Sequence, residues 1–325
     1  MKINEIGEFG LIGRIAREVE QLVPAGWEGI GDDCAVIPSG DDRSLLVTTD
    51  LLVENVHFLR DRITARELGA KSLAVNLSDV AAMGGRPIAT FLSIGLPSDT
   101  VEVEWCDAFF DGYRSFGVPL LGGDTTSSPE GIVINITVLG TAENRHIKRR
   151  NAARAGDIIA VTGPLGDSAG GLQCLLQHLP ADADTEALIR RHHAPRPHLA
   201  EGEWLGARPD VHAMMDVSDG VASDLLHILR ASSLAAAVDV RRLPLSPLLL
   251  KMADRCGWDA HRLALTGGED YVLLLTADRE RFARLQQDFQ AQFGRTLHPI
   301  GECIPGQPTI EYRGSEGTFT GFNHF

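Results

Sequence analysis

Basic charge is scarce in this chain of 325 residues. Its 30 lysines and arginines face 44 aspartates and glutamates, a net charge of −14. A nucleic-acid protein needs a basic face to neutralise phosphates, so that class is set aside. No apolar run approaches the ~20 residues of a membrane span, so no membrane helix and no membrane partner are expected. Met1 to Glu5 carry no apolar segment and no small-residue cleavage site. No secretory leader is therefore expected, and the chain reads as cytoplasmic. Cysteine is sparse. Cys34, Cys106, Cys174, Cys256 and Cys303 are odd in number, far apart and without a C-x-x-C pair, so they read as reduced thiols rather than a disulfide frame or zinc site. Both the P-loop pattern G-x-x-x-x-G-K-S/T and G-x-G-x-x-G are missing. No repeat of 20–50 residues is visible, and no low-complexity linker.

What is present is globular. The hydrophobic share of 44% rules out a wholly disordered chain. A length prior of ~150 residues per domain gives two domains, 1–150 and 151–325, parted at the basic, turn-like Lys148-Arg149-Arg150-Asn151. Helical spacing marks Gly7 to Gln21, Val101 to Phe116, Val221 to Arg230 and Asp278 to Phe293. A further helix follows the turn at 163–171 and runs to about His178. Thr64 and Glu67 form a capping box that opens a helix running to about Met83 and stopping at Gly84-Gly85. Strands are expected at Ser44 to Thr49, Ile88 to Leu96, Gly131 to Ala142, Ile158 to Thr162, Val211 to Val217, Leu263 to Leu265 and Tyr271 to Thr276. Strands and helices mix in both halves, so the expected class is α+β.

Carboxylates recur just after apolar strands or in glycine-rich turns: Asp32 and Asp33, Asp50, Asp124, Asp216 and Asp219, Glu269 and Asp270. Asp79 differs, lying inside the capped helix with Val75 and Met83 one turn away on either side. Any one of these has an ordinary explanation, since Asp before Gly is common in turns and Asp often caps helices. Several together shift the reading. Converging carboxylates repel and are costly to bury, and a hard cation such as Mg²⁺ relieves both problems. Thr48, Thr49 and Ser218 could add hydroxyl or carbonyl ligands. His192-His193 read as surface or structural residues. The turn Gly163 to Gly171 suits an anion cradle and a tight packing turn about equally. An acidic chain with phosphate-like loops holds anions best through metal bridges, which points to phosphoryl transfer.

At these residues the sequence resembles the thiamine-monophosphate kinase family, in the superfamily of aminoimidazole ribonucleotide synthetase, selenophosphate synthetase and the hydrogenase-maturation dehydratase. The resemblance runs through Gly-Glu-Phe (7–9), Gly-Ile-Gly-Asp-Asp-Cys-Ala (29–35), Thr-Thr-Asp (48–50), Asn-Val-His-Phe (55–58) and residues 71–84. It continues through Gly-Gly-Asp-Thr-Thr (122–126), residues 161–168, Asp-Val-Ser-Asp-Gly (216–220), Thr-Gly-Gly-Glu-Asp-Tyr (266–271) and the ending Gly-Phe-Asn-His-Phe (321–325). It implies phosphorylation of thiamine monophosphate by ATP and several Mg²⁺ ions, the last step of thiamine diphosphate biosynthesis. It implies metal ligands at Asp33, Thr48, Thr49, Asp50, Asp79, Asp124, Asp216 and Asp219. ATP contacts would fall at Gly123, Asp124, Arg150 and Ser218, with Arg149 a rival to Arg150. Thiamine contacts would fall at His57, Glu269 and Phe319, with Phe322 a rival to Phe319. The implied fold is a two-domain aminoimidazole ribonucleotide synthetase-like one. Its N-terminal domain forms a homodimer through its sheet, and its C-terminal domain is of α/β type.

The chemistry agrees with that implication. The attacking group is a phosphate monoester, mostly dianionic at neutral pH because its second pKa is near ~6. No general base is required, and none is evident in the sequence. The alternatives are an enzyme of the same superfamily with another acceptor and a non-catalytic Mg-nucleotide sensor. A selenophosphate synthetase would carry a reactive Cys before Cys34, and the dehydratase would end in Cys rather than His324-Phe325.

Overall fold

The computed structural model describes residues 3–315, 317 and 319–321. Two mixed sheets organise it. The first contains β1 (Ala35–Pro38), β2 (Arg43–Val53), β3 (Arg86–Leu96), β4 (Leu120–Ser127) and β5 (Val133–Glu143), in the order β1-β2-β5-β3-β4. β2 and β5 pair antiparallel from Arg43 opposite Glu143 to Val53 opposite Val133. Along β5 buried and half-buried side chains alternate, the period of a sheet with one face on the core. The second sheet contains β6 (Ile158–Val161), β7 (Val211–Asp216), β8 (Ala235–Asp239), β9 (Leu273–Ala277), β10 (His298–Ile304) and β11 (Ile310–Arg313), in the order β11-β8-β10-β6-β9-β7. Residues 144–157 cross from one sheet to the other.

The helices of the first half are α1 (Ile3–Val19), α2 (Ala65–Ala82) and α3 (Val103–Tyr113). Those of the second are α4 (Asp167–Leu176), α5 (Ala183–His193), α6 (Leu199–Gly206), α7 (Val221–Ser232), α8 (Pro247–Cys256), α9 (Ala260–Thr266) and α10 (Phe282–Phe293). No described helix is long and apolar enough to cross a membrane.

α2 starts where the capping box requires. Thr64 Oγ1 accepts from Glu67 N at 3.2 Å, and Thr64 N donates to the Glu67 carboxylate at 3.0 Å. Thirteen of its 18 residues are buried, so it is an interior helix rather than an amphipathic surface one. One side lies on β2 and β5, and another meets α6 and β7 of the second half. Asp79 and Ser78 on α2 therefore sit where the first sheet meets the second half.

The α+β class and the capped helix agree with the sequence reading, and several elements differ. Leu263 to Leu265 lie in α9 rather than a strand, because Asp259 caps that helix by accepting from Arg262 N at 3.0 Å. Asp50 does not follow β2 but lies inside it, its N–H satisfied by Asn76 Oδ1 at 2.9 Å. Asp124 and Gly123 lie in β4, not in a turn. β4 runs parallel to β3, and a Cβ on Gly123 would stand 1.6 Å from Leu92 O, so the strand approaches closely enough only with glycine there. α1 begins before Gly7 and kinks there, at φ 66°.

Candidate active site

Three elements from both halves bring carboxylates to one point. Asp33 precedes β1, Asp79 sits in the middle of α2, and Asp216 ends β7. Oxygens of the three lie within 4.8 Å of one another. Each is held from its own surroundings. The Thr48 hydroxyl on β2 donates to Asp79. Ser78, the residue before Asp79 on α2, donates to Asp216 at 2.6 Å and so ties the two halves together. Arg150 donates to Asp33 at 2.7 Å, and its backbone N–H donates to Asp32 at 3.1 Å. Asp33 Oδ2 and Arg150 Nε are nevertheless buried with no hydrogen-bond partner.

Such crowding is electrostatically unfavourable, and the acidities show it. Burial, then the nearby Asp50 and Asp216, pushes Asp79 well above the usual carboxylate range. Burial, then Asp33, pushes Asp216 up to about 8. Asp50 is raised to about 6 by burial and then Asp219. Asp32 is raised to about 7 by burial and then Asp33, with Arg150 opposing. A set of oxygens that cannot all ionise alone is one that a hard cation completes.

The remaining candidates divide. Thr48 and Asp50 share the α2 side of β2. The Thr49 side chain points to the other face, donating to Ile136 O at 3.2 Å, so only its backbone could serve the cluster. The Ser218 carbonyl accepts from Glu269 N at 2.8 Å. Between the two arginines, Arg150 meets the cluster, whereas Arg149 makes a two-point pair with Glu28 at 2.6 Å. Asp124 lies apart on exposed β4, beside a groove of about 320 Å³ lined with Ser93, Thr126 and Asn135. His57 Nδ1 accepts from Val53 N at 3.0 Å, within its own loop. Phe319 packs edge-on against Tyr312 at 4.9 Å and lines a second cavity of about 440 Å³ with Leu226 and Arg230. Phe322 and the ending 322–325 lie outside the described residues.

Glu269 is not a solvated turn acid. It pairs with Lys71 of α2 at 2.9 Å and lies 3.1 Å from His192 Nδ1. His192 and His193 are each 5% exposed, which excludes the surface reading and leaves the structural one. Asp270 is structural as well, accepting from Gly166 N at 2.6 Å and Ser168 N at 3.2 Å where the glycine-rich turn enters α4. That turn is thus occupied by the protein's own carboxylate. Sequence reasoning missed Lys71, Ser78 and Asp224. Lys71 had a signal, a lysine between Leu68 and Leu73 of the capped helix. Asp224 had a weaker one, four residues after Gly220, and it accepts from Asp219 N at 3.3 Å.

Two families match in tandem, described as AIR synthase related protein, N-terminal domain, over residues 31–142, and its C-terminal domain over residues 154–312. The thiamine-monophosphate kinase of Salmonella typhimurium is 41% identical over 276 residues, 83% of this chain and 82% of that protein. The chain belongs to the thiamine-monophosphate kinase family. The Aquifex aeolicus member is 36% identical over 312 residues, covering 94% and 97%. A solved structure, AaThiL complexed with AMPPCP and TMP, superposes with a TM-score of 0.88 at 34% identity, covering 100% of this chain and 99% of that one. Membership across both halves agrees with the way the acidic cluster draws on both.

Proposed function

We propose that the chain transfers the γ-phosphoryl group of ATP to thiamine monophosphate, giving thiamine diphosphate and ADP. The observation that carries this reading is the meeting of Asp33, Asp79 and Asp216 within 4.8 Å, in a chain whose relatives are kinases of that name. The related structure with AMPPCP, an ATP analogue, and TMP supports both substrates.

The donor set fits Mg²⁺. It is all oxygen, and Asp33 Oδ2 is buried without a partner. Asp33, Asp79 and Asp216 would hold such an ion, and Thr48, Asp50 and Asp219 lie beside them for further ions, with Thr49 and Ser218 offering backbone oxygens. When bound, Mg²⁺ supplies neutralisation of phosphate charge, the main requirement of phosphoryl transfer. Arg150 contributes a fixed cation at the same point, and its guanidinium is suited to a phosphate oxygen. No residue need remove a proton, because the acceptor phosphate is already anionic. Glu269 offers a carboxylate and Phe319 an aromatic face to the cationic thiazolium, with His57 a third contact.

Gly123 and Asp124 lie on β4, whose eight residues are all exposed, away from their own cluster. A second copy docking along this edge would present them to a neighbouring site, so the reading includes a homodimer formed through the first sheet. Both substrates are charged phosphates that do not cross membranes unaided, which suits a cytoplasmic enzyme. The test is ADP release with and without thiamine monophosphate. Release that requires both the acceptor and Mg²⁺, matched by thiamine diphosphate, supports the reading. Release indifferent to the acceptor would assign another substrate, and ATP binding without turnover would make the chain a sensor.

A further inference from the structure

Lys71 is a fully buried ammonium group, 1% exposed, between the buried leucines Leu68 and Leu73 of α2. Its Nζ lies 2.9 and 3.0 Å from the two oxygens of Glu269 and donates to His192 O at 3.2 Å, which occupies its three donors. Glu269 comes from the other half of the chain and keeps its side chain 26% exposed. His192, on α5, places Nδ1 3.1 Å from Glu269 and 3.0 Å from Ser168 Oγ. Burial, with Lys71 nearby, lowers the His192 pKa well below the usual imidazole value, so the ring stands against the carboxylate as a buried polar neighbour rather than as a second cation.

The backbone under Glu269 is equally constrained. Glu269 and Tyr271 have φ of 64° and 50°, conformations unfavourable for residues other than glycine. A Cβ on Gly268 would stand 2.2 Å from Ser218 O, so the turn presses directly on the Asp216–Asp219 loop. Glu269 N donates to Ser218 O at 2.8 Å and Tyr271 N to Val217 O at 2.9 Å. Tyr271 itself packs into the core of the first half. The carboxylate is therefore fixed in place beside the proposed phosphate site, gripped by the buried Lys71 ammonium and bounded by the buried His192 ring.

A buried ion pair is weak as a source of stability, because desolvation offsets the attraction, and it is better explained by a need for position. We propose that Lys71 and His192 are positioning residues that aim the Glu269 carboxylate at the thiazolium end of the acceptor. The proposal rests on the reading of Glu269 as an acceptor contact. Because Lys71 cancels its charge at a distance, Glu269 acts by close fit, so its orientation decides acceptor affinity.

The test uses steady-state kinetics on full-length wild type, Lys71→Met, Glu269→Gln and the double variant. The expected result is a rise of about tenfold or more in KM for thiamine monophosphate in each single variant. KM for ATP and kcat should stay within about threefold, and the double variant should be no worse than either single one, since the two act as a unit. Should Lys71→Met fail to fold, His192→Leu against His192→Asn reads the same point: Leu raises the acceptor KM, and Asn, which keeps a polar group against the carboxylate, restores it. Wild type that turns over thiamine monophosphate while these variants leave its KM unchanged, or effects that simply multiply, would overturn the positioning role. Wild type that does not turn over thiamine monophosphate would overturn the functional reading itself.

Discussion

At the scale of single residues, Asp79 stands in the middle of a buried helix, where aspartate costs up to about 0.7 kcal/mol relative to alanine in propensity alone. Thr48 supports one of its oxygens, while Asp33 and Asp216 crowd it. Asp79→Asn keeps size and removes the charge that would oppose a cation. Turnover is expected to fall by roughly two orders of magnitude or more, with partial recovery at high Mg²⁺. The melting temperature in EDTA should hold or rise slightly. Near-normal turnover would remove Asp79 from the site.

The same crowding has a pH signature. Burial pushes Asp216 up to about 8 and Asp32 up to about 7 in the folded chain, against ~3.9 when unfolded. The folded state then holds more protons than the unfolded one, so stability falls as pH rises through these values. His193, His198 and His227, lowered to about 4 by burial, oppose this trend only below ~6.5. Lys148, lowered by burial to about 8, acts above that value. Melting in EDTA should therefore drop between about pH 6.5 and 8, and Mg²⁺ should flatten the drop. A flat profile in EDTA would show that the carboxylates do not strain one another.

At the scale of elements, β4 is an edge strand with Leu120 and Leu121 at 40% and 65% exposure. An apolar, unpaired edge is a pairing surface. For the proposed homodimer, Leu121→Lys is expected to give a monomer by light scattering, with unchanged circular dichroism and a loss of activity if Gly123 and Asp124 serve a neighbouring site. A fully active monomer would exclude a shared site. The sequence made α2 legible, because a capping box and a double-glycine stop are local signals. It hid β4 behind two glycines that usually mark turns, and the reason for Gly123, close approach to β3, is tertiary. It misread Leu263 to Leu265 because three apolar residues carry no period. Asp33, Asp79 and Asp216 were legible as types, but their convergence depends on the crossing of α2 with β7. Lys71 and Glu269 are 198 positions apart, so no local pattern could join them.

At the scale of the molecule, a chain of net charge −14 is proposed to bring together two phosphate-bearing substrates, the ATP polyphosphate and the phosphate monoester of the acceptor. It can do so only if cations collect where its carboxylates converge, and both halves contribute to that point through α2, β7 and the link Ser78 to Asp216. The proposed transfer is direct, since the acceptor phosphate is already anionic and the clustered carboxylates are the groups that would hold the cation. The most direct measurement is a single turnover with γ-labelled ATP, Mg²⁺ and thiamine monophosphate, quenched by denaturation. Direct transfer places label on the terminal phosphate of thiamine diphosphate, none bound to protein, and none on unphosphorylated thiamine offered instead. Label held covalently by the protein, or passed to thiamine at a comparable rate, would contradict it.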